Sequence, residues 1–329
     1  MRHDGPVIAC SEWLDHLLND DHSHDFIVGG GSLLRIAVTD TVGGHQQLRN
    51  SLDEIRQTRG LVVLTVLSRI ADVSNPTNIV RQIGGQLPTI DFIERFLRGV
   101  WREIGYPNER LRPLHTVAQE LDAGSISVRA AYDRVVNTML RGSDGERERP
   151  AFSRDFANAL ETMASIAAQQ GTDSSDFRVV VNQFSTWLVQ TLPPHTLKRL
   201  HVQWNVARTN ATQVLRSVMA LCTVAGYRGC ILHLDLRHLT NPELSRGDVN
   251  VRYTRQKILG TYQWLREIID QTYMFRSSLV VVEVGPGFLE QHHRSNGVGM
   301  YDALKFRVID DVRTSEQNPS AVVVRLDGD

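Results

Sequence analysis

Residues 226–239, G-Y-R-G-C-I-L-H-L-D-L-R-H-L, constrain the fold more than any other stretch. Cys230 to Leu234 form a short, mostly apolar run, too brief to be a helix, and the run ends on an acid, Asp235. A run of this length between turn signals reads as a buried strand of a parallel sheet. Open α/β sheets keep their ligands outside the carboxyl ends of such strands, so Asp235 stands where chemistry is expected.

Comparable runs recur at residues 33–38 (L-L-R-I-A-V), 61–67 (L-V-V-L-T-V-L), 279–284 (L-V-V-V-E-V) and 321–326 (A-V-V-V-R-L). Between the first two, Leu48, Leu52 and Ile55 fall at helical spacing and Gly60 supplies the stop. Strand, glycine-containing turn, helix and strand make a crossover unit, whose right-handedness makes the strands parallel. An amphipathic piece near the N-terminus carries Trp13, Leu14, Leu17 and Leu18 on one face. The residues from 72 to 208 are dominated by 3.6-period apolar patterns, through Ile93, Phe96, Leu97, Val100 and Trp101, and again through Tyr132, Val135, Val136 and Leu140. The expectation is an α/β three-layer core with a parallel sheet. Residues 1–71 and 209–329 form its two parts, and a helical insertion covers 72–208. Residues 141–150, R-G-S-D-G-E-R-E-R-P, read as a charged linker or exposed loop.

Net charge is −1, which gives no general attraction to nucleic acid or to anionic membranes. Cys10, Cys222 and Cys230 have no metal-binding spacing and read as core thiols of a reducing cytoplasm. No apolar run approaches the ~20 residues of a membrane helix, and no signal peptide is apparent. His22 and His24 among Asp20, Asp21 and Asp25 read as a solvated turn rather than a metal site. His292-His293 reads as an exposed loop pair, and Trp187, Trp204 and Trp264 as core or interface anchors.

Of the 36 basic residues only three are lysines, Lys198, Lys257 and Lys305. This bears on residues 39–46, T-D-T-V-G-G-H-Q, the turn between a buried strand and an amphipathic helix. A phosphate-binding turn there is G-x-x-x-x-G-K-[S/T], with backbone amides and the lysine on the phosphates and the hydroxyl on magnesium. Thr39 stands at the first glycine, Gly44 keeps the last, His45 replaces the lysine and Gln46 the hydroxyl, with Gly43 beside them. No lysine precedes residue 198, so no shifted register restores the motif.

The order of segments, together with A-G-Y-R-G-C-I-L-H-L-D, Y-Q-W-L-R-E-I-I-D, L-V-V-V-E-V-G-P-G-F-L-E and G-V-G-M-Y-D-A-L-K-F-R-V, resembles the ATP-binding proteins of bacterial BREX phage-defence loci, which are AAA+-like P-loop proteins. That resemblance implies a Walker A loop at residues 39–46, a Walker B Asp-Glu at Asp235-Leu236, and a polar sensor at Gly285. It also implies a C-terminal helical region beyond the last strand, and no such lid is expected here. Since the Walker A lysine and Walker B glutamate are replaced, the expected protein is a pseudo-ATPase rather than an enzyme. Thr39, Gly43, Gly44, His45, Gln46 and Asp235 would be its vestigial nucleotide-binding positions. No cofactor is expected, ATP and magnesium being disfavoured. Arg35 and Arg307 are the arginines that could substitute for lost charge, though surface salt bridging is the plainer role for both. Partners would be other subunits of a cytoplasmic defence complex, as a homodimer or hetero-oligomer. The alternative is a DNA-binding or metal-dependent nuclease or phosphoesterase component, with Asp40, Asp235 and Glu283 gathered as a carboxylate cluster and His233 nearby.

Overall fold

A computed structural model describes residues 7–19, 26–106, 111–121, 124–142, 152–241, 251–308 and 322–327. The acidic H-x-H segment at 20–25 and most of the charged loop at 141–150 lie outside these residues. Six strands, β1 (Val7–Ala9), β2 (Ser32–Thr39), β3 (Leu61–Leu67), β4 (Gly229–Asp235), β5 (Ser278–Val284) and β6 (Val323–Asp327), form one sheet in the order β1-β6-β2-β5-β4-β3. Every pairing is parallel. The α/β core with a parallel sheet is therefore as the sequence implies, and its strands are mostly apolar, as in sheets buried on both faces. In β4 and β5 every residue is buried.

One consequence of the order matters for the site. Strand β2 feeds the glycine turn and β4 ends on Asp235, yet the two are not neighbours, because β5 lies between them. Register sets Glu283 level with Ala37 of β2 and with Asp235 of β4. Side chains alternate along a strand, so His233 and Asp235 share the face of Glu283, and Thr39, two residues past Ala37, shares it too. Ala37 is small, which leaves room beside it for the larger side chains.

That same face is covered by two helices. Helix Cys10–Asn19 contributes Trp13, Leu14, Leu17 and Leu18, and helix Val42–Thr58 contributes Leu48, Leu52 and Ile55, to a core with Ala37, Val63, Ile231, Val281 and Val324. Burying each Leu or Ile there is worth about 1.5–3 kcal/mol, which fixes both helices on the sheet. Strand β1, just ahead of the first helix, pairs with β6 and extends the sheet edge.

The chain separates into two compact units, one of residues 1–79 with 228–329 and one of residues 80–227. The second is all helical. Its longer helices are Thr89–Glu103, Ser125–Arg141, Arg154–Gln170, Ser175–Val189 and Ala211–Val224. Ser153 and Ser174 cap two of them through side-chain oxygens that accept from the amides of Phe156 and Phe177. Its core holds Phe96, Trp101, Tyr132, Phe156, Phe184 and Trp187, all under 2% exposed, with Tyr132 donating to the Ala164 carbonyl at 2.7 Å. Helix Ala211–Val224 packs on helix Thr89–Glu103, so it belongs with the helical unit rather than with the C-terminal part of the core. Trp187 and Trp264 are buried as expected of anchors, whereas Trp204 is 69% exposed, its carbonyl accepting from Trp187 Nε1 and its amide donating to Asp155. Among the described residues no helix is long and apolar enough to cross a membrane.

Candidate functional site

At the carboxyl ends of β2, β4 and β5 lies a buried polar network centred on Glu283, which is 0% exposed. Its carboxylate accepts from the Thr39 hydroxyl at 2.9 Å. His45 Nδ1 lies 2.9 and 3.0 Å from its two oxygens, and His233 Nε2 lies 3.0 Å from Oε2. Arg237 Nε adds a fourth contact at 3.2 Å. An ionised carboxylate only accepts, so the ring nitrogens facing it carry their protons. Burial alone would raise the pKa of Glu283. The hydrogen bonds from His233 and His45, with the charges of His233 and Arg237, outweigh that and hold it well below the usual carboxylate range.

Asp235, one register position across, is occupied by the same arginine. Arg237 Nε and Nη2 reach Asp235 Oδ1 and Oδ2 at 3.0 and 2.9 Å, and its backbone amide reaches Oδ1 at 3.2 Å. The planar fork of a guanidinium suits such a two-point contact. Arg237 is buried, a desolvation that by itself would lower its pKa, but Asp235 and Glu283 more than compensate and its pKa is raised. The backbone fixes the placement further: the Leu236 amide donates to the Glu283 carbonyl at 2.8 Å and the Ser68 amide to the Asp235 carbonyl at 3.0 Å.

The strand-to-helix turn is shorter than a phosphate loop. Strand β2 ends at Thr39 and the helix begins at Val42, leaving Asp40 and Thr41 between them. Thr41 is the N-cap, and its side chain accepts from the Gly44 amide at 3.0 Å. The His45 amide is turned to the Thr41 carbonyl at 3.4 Å. Gly43 and Gly44, read from the sequence as turn residues, are thus wound into the first helical turn, and amides that would close on a phosphate are used within the chain.

The other sequence candidates fall as follows. Gln46 faces solvent and donates to Asn50. Asp40 is exposed and does not join the carboxylates, and the group of potential metal ligands is His45, Asp235 and Glu283 instead. Arg307 is paired with Asp270 at the surface, as the plainer reading expected. Arg35 donates from Nη1 to the Leu34 carbonyl, four residues back along β2 from Thr39, or about 13 Å at the rise of a strand. His292 and His293 are exposed. Arg237 lies within the stretch 226–239 but outside the Asp235-Leu236 pair that the Walker B comparison uses; its signal in the sequence is an arginine two residues beyond a strand-terminal aspartate.

The family model for the BREX system ATP-binding protein BrxC/D matches residues 117–328, well over half of the chain. The chain belongs to the BREX system ATP-binding protein BrxC/D family. No curated protein and no solved structure matches it. Membership places the chain in an anti-phage defence system and agrees with the parallel sheet, whose fold is P-loop NTPase-like. The match includes β4, β5 and β6, with Asp235, Arg237 and Glu283, and leaves out the turn at 39–46. The family's description implies ATP. A triphosphate with magnesium takes free amides, a lysine and an uncommitted aspartate. Here the Gly44 amide is capped, His45 is bound to Glu283, and Asp235 is held by Arg237. These residues do not fit that group.

Proposed function

We propose that the chain is a non-catalytic, P-loop-shaped subunit of a BREX defence assembly, working through protein partners rather than by ATP turnover. The observation that carries this reading is the closure of the network on itself. Arg237 neutralises both carboxylates from within, and Thr41 takes the amide a phosphate would use. Phosphoryl transfer rests on positioned charge around the phosphates and on a group that orients the attacking water. Neither function has a free provider among the described residues of this site. What remains is an α/β body whose two site carboxylates are paired from within, suited to present surfaces to other subunits of the system.

Isothermal titration of the full chain with Mg-ATP tests the first half of the proposal. No heat of binding is expected with nucleotide at about 1 mM, a concentration that would detect complexes of about −4 kcal/mol or better. Tight binding, together with hydrolysis that disappears in Asp235→Asn, would overturn it. The second half is tested by co-expressing the tagged chain with the other proteins of its own locus and measuring the mass of the purified species by light scattering. A monomer that co-purifies with none of them would refute a partner-mediated role.

A further inference from the structure

The buried network is also a donor set for a metal ion. One ring nitrogen of His45, a carboxylate oxygen of Asp235 and one of Glu283 all lie within 4.8 Å of one another. One imidazole nitrogen with two carboxylates suits zinc, manganese, iron or cobalt, whereas magnesium favours oxygen alone and keeps its waters. The groups around these ligands are those a metal site needs. Thr39 and His233 donate to Glu283 from either side and fix the orientation of its carboxylate, as outer partners of metal ligands do. His233 is itself 0% exposed, and among the described residues its Nδ1 has no hydrogen-bond partner, so it joins the network through Nε2. Arg237 spans Asp235 and Glu283, bringing to both acids the positive charge that a dication would bring.

We propose that His45, Asp235 and Glu283 form a binding site for a divalent first-row transition-metal ion, which Arg237 keeps closed by occupying it with its guanidinium. The proposal rests on the reading that Mg-ATP is not the ligand of this site. Ligands at about 2.0–2.2 Å from an ion stand no more than ~4.4 Å apart, so the set closes with movements on the order of 1 Å. Three things must happen on binding. His45 gives up its Nδ1 proton, the Asp235 and Glu283 oxygens turn inward, and Arg237, the first residue of the four-residue helix Arg237–Thr240, rotates out. Because a proton and a charged side chain both leave, the affinity of the wild type is low and falls with falling pH.

The test is a titration of the purified full chain with cobalt(II), without nucleotide, following the visible absorption bands that nitrogen and oxygen ligands give the ion. Arg237→Met should bind cobalt at least about tenfold more tightly than the wild type, the lower end of what outer-shell groups typically contribute. His45→Ala or Glu283→Gln placed in that background should abolish the bands. Thermal unfolding gives a second readout: added zinc should raise the Tm of Arg237→Met and leave that of the wild type nearly unchanged. Equal affinity in the wild type and Arg237→Met would overturn the proposal. So would absence of the bands in a folded Arg237→Met, or binding that survives His45→Ala. Should Arg237→Met not fold, Arg237→Gln removes the charge, keeps a hydrogen-bonding group and is read the same way. Failure of the cobalt result leaves the pseudo-ATPase reading intact, whereas binding of Mg-ATP strikes that reading first.

Discussion

Glu283→Ala is the substitution that most directly tests the buried network. It removes one acceptor that serves four donors: Thr39 Oγ1, His45 Nδ1, His233 Nε2 and Arg237 Nε. The four are not equally exposed to the loss. Arg237 keeps two contacts to Asp235, and the His45 side chain, 13% exposed, recovers part of its bond from water. Thr39 and His233 are wholly buried, and each orphaned donor costs about 1–3 kcal/mol. Because all four share a single acceptor their costs do not add, so the expected total is that of breaking a buried ion pair from one side, about 3–5 kcal/mol. Urea denaturation at pH 7.5, followed by circular dichroism, should show the midpoint falling with little change in slope. A loss below about 1 kcal/mol would refute the claim that this carboxylate organises the strand ends. The acid limb provides an internal check. Glu283 has a folded pKa lowered from its ordinary 4.5, so between the two values the unfolded chain binds the extra proton. Stability from this group is therefore complete above about pH 4.5 and is lost as pH falls through the folded value. The alanine variant should lack that portion of the acid dependence.

Thr41→Ala removes the N-cap of helix Val42–Thr58 and should destabilise the fold by about 0.5–2 kcal/mol in the same denaturation. An unchanged midpoint would mean that the Gly44 amide does not depend on this hydroxyl. Tyr253→Phe deletes a hydroxyl whose one proton lies between the Ser68 and Ala71 carbonyls, 3.0 and 3.1 Å away, and whose oxygen accepts from the Val73 amide. Its loss should cost about 1–3 kcal/mol and speed amide hydrogen exchange at residues 68–73, whereas unchanged protection would contradict its role as the tie for that loop.

Five of the strands were legible because their runs are uninterrupted and bounded by turn residues. Leu61–Leu67 falls where its apolar run lies, β5 begins one residue before its run, and β2 extends one residue beyond its run at each end. Strand β1 left no such mark: Val7–Ala9 is three residues long and is a strand only because β6 lies beside it. The site was half legible. Asp235 stood out from its place at a strand end. Glu283 was named for its charge, beside Asp235 and with His233 nearby, but Thr39, His45 and Arg237 were not placed with it, since Thr39 and Glu283 lie 244 residues apart and meet only through the strand order. His45 read as a lysine that had been lost. In the structure it is a residue that has gained a partner, since Glu283 faces it across the turn. The Gly43-Gly44 pair misled for a local reason: glycines signal a turn, while the Thr41 cap starts the helix ahead of them.

The placement of residues 80–227 within the chain has a consequence for how the protein is made. Strand β2 leaves the ribosome well before β5, yet β5 is its sheet partner, so the two must find each other across the whole helical unit. Contacts of such long separation form slowly, while the helices between them are contiguous in sequence and can assemble as they emerge. During synthesis β2 and β3 therefore wait with apolar edges uncovered, a period in which chaperone capture or mispairing competes with completion of the sheet.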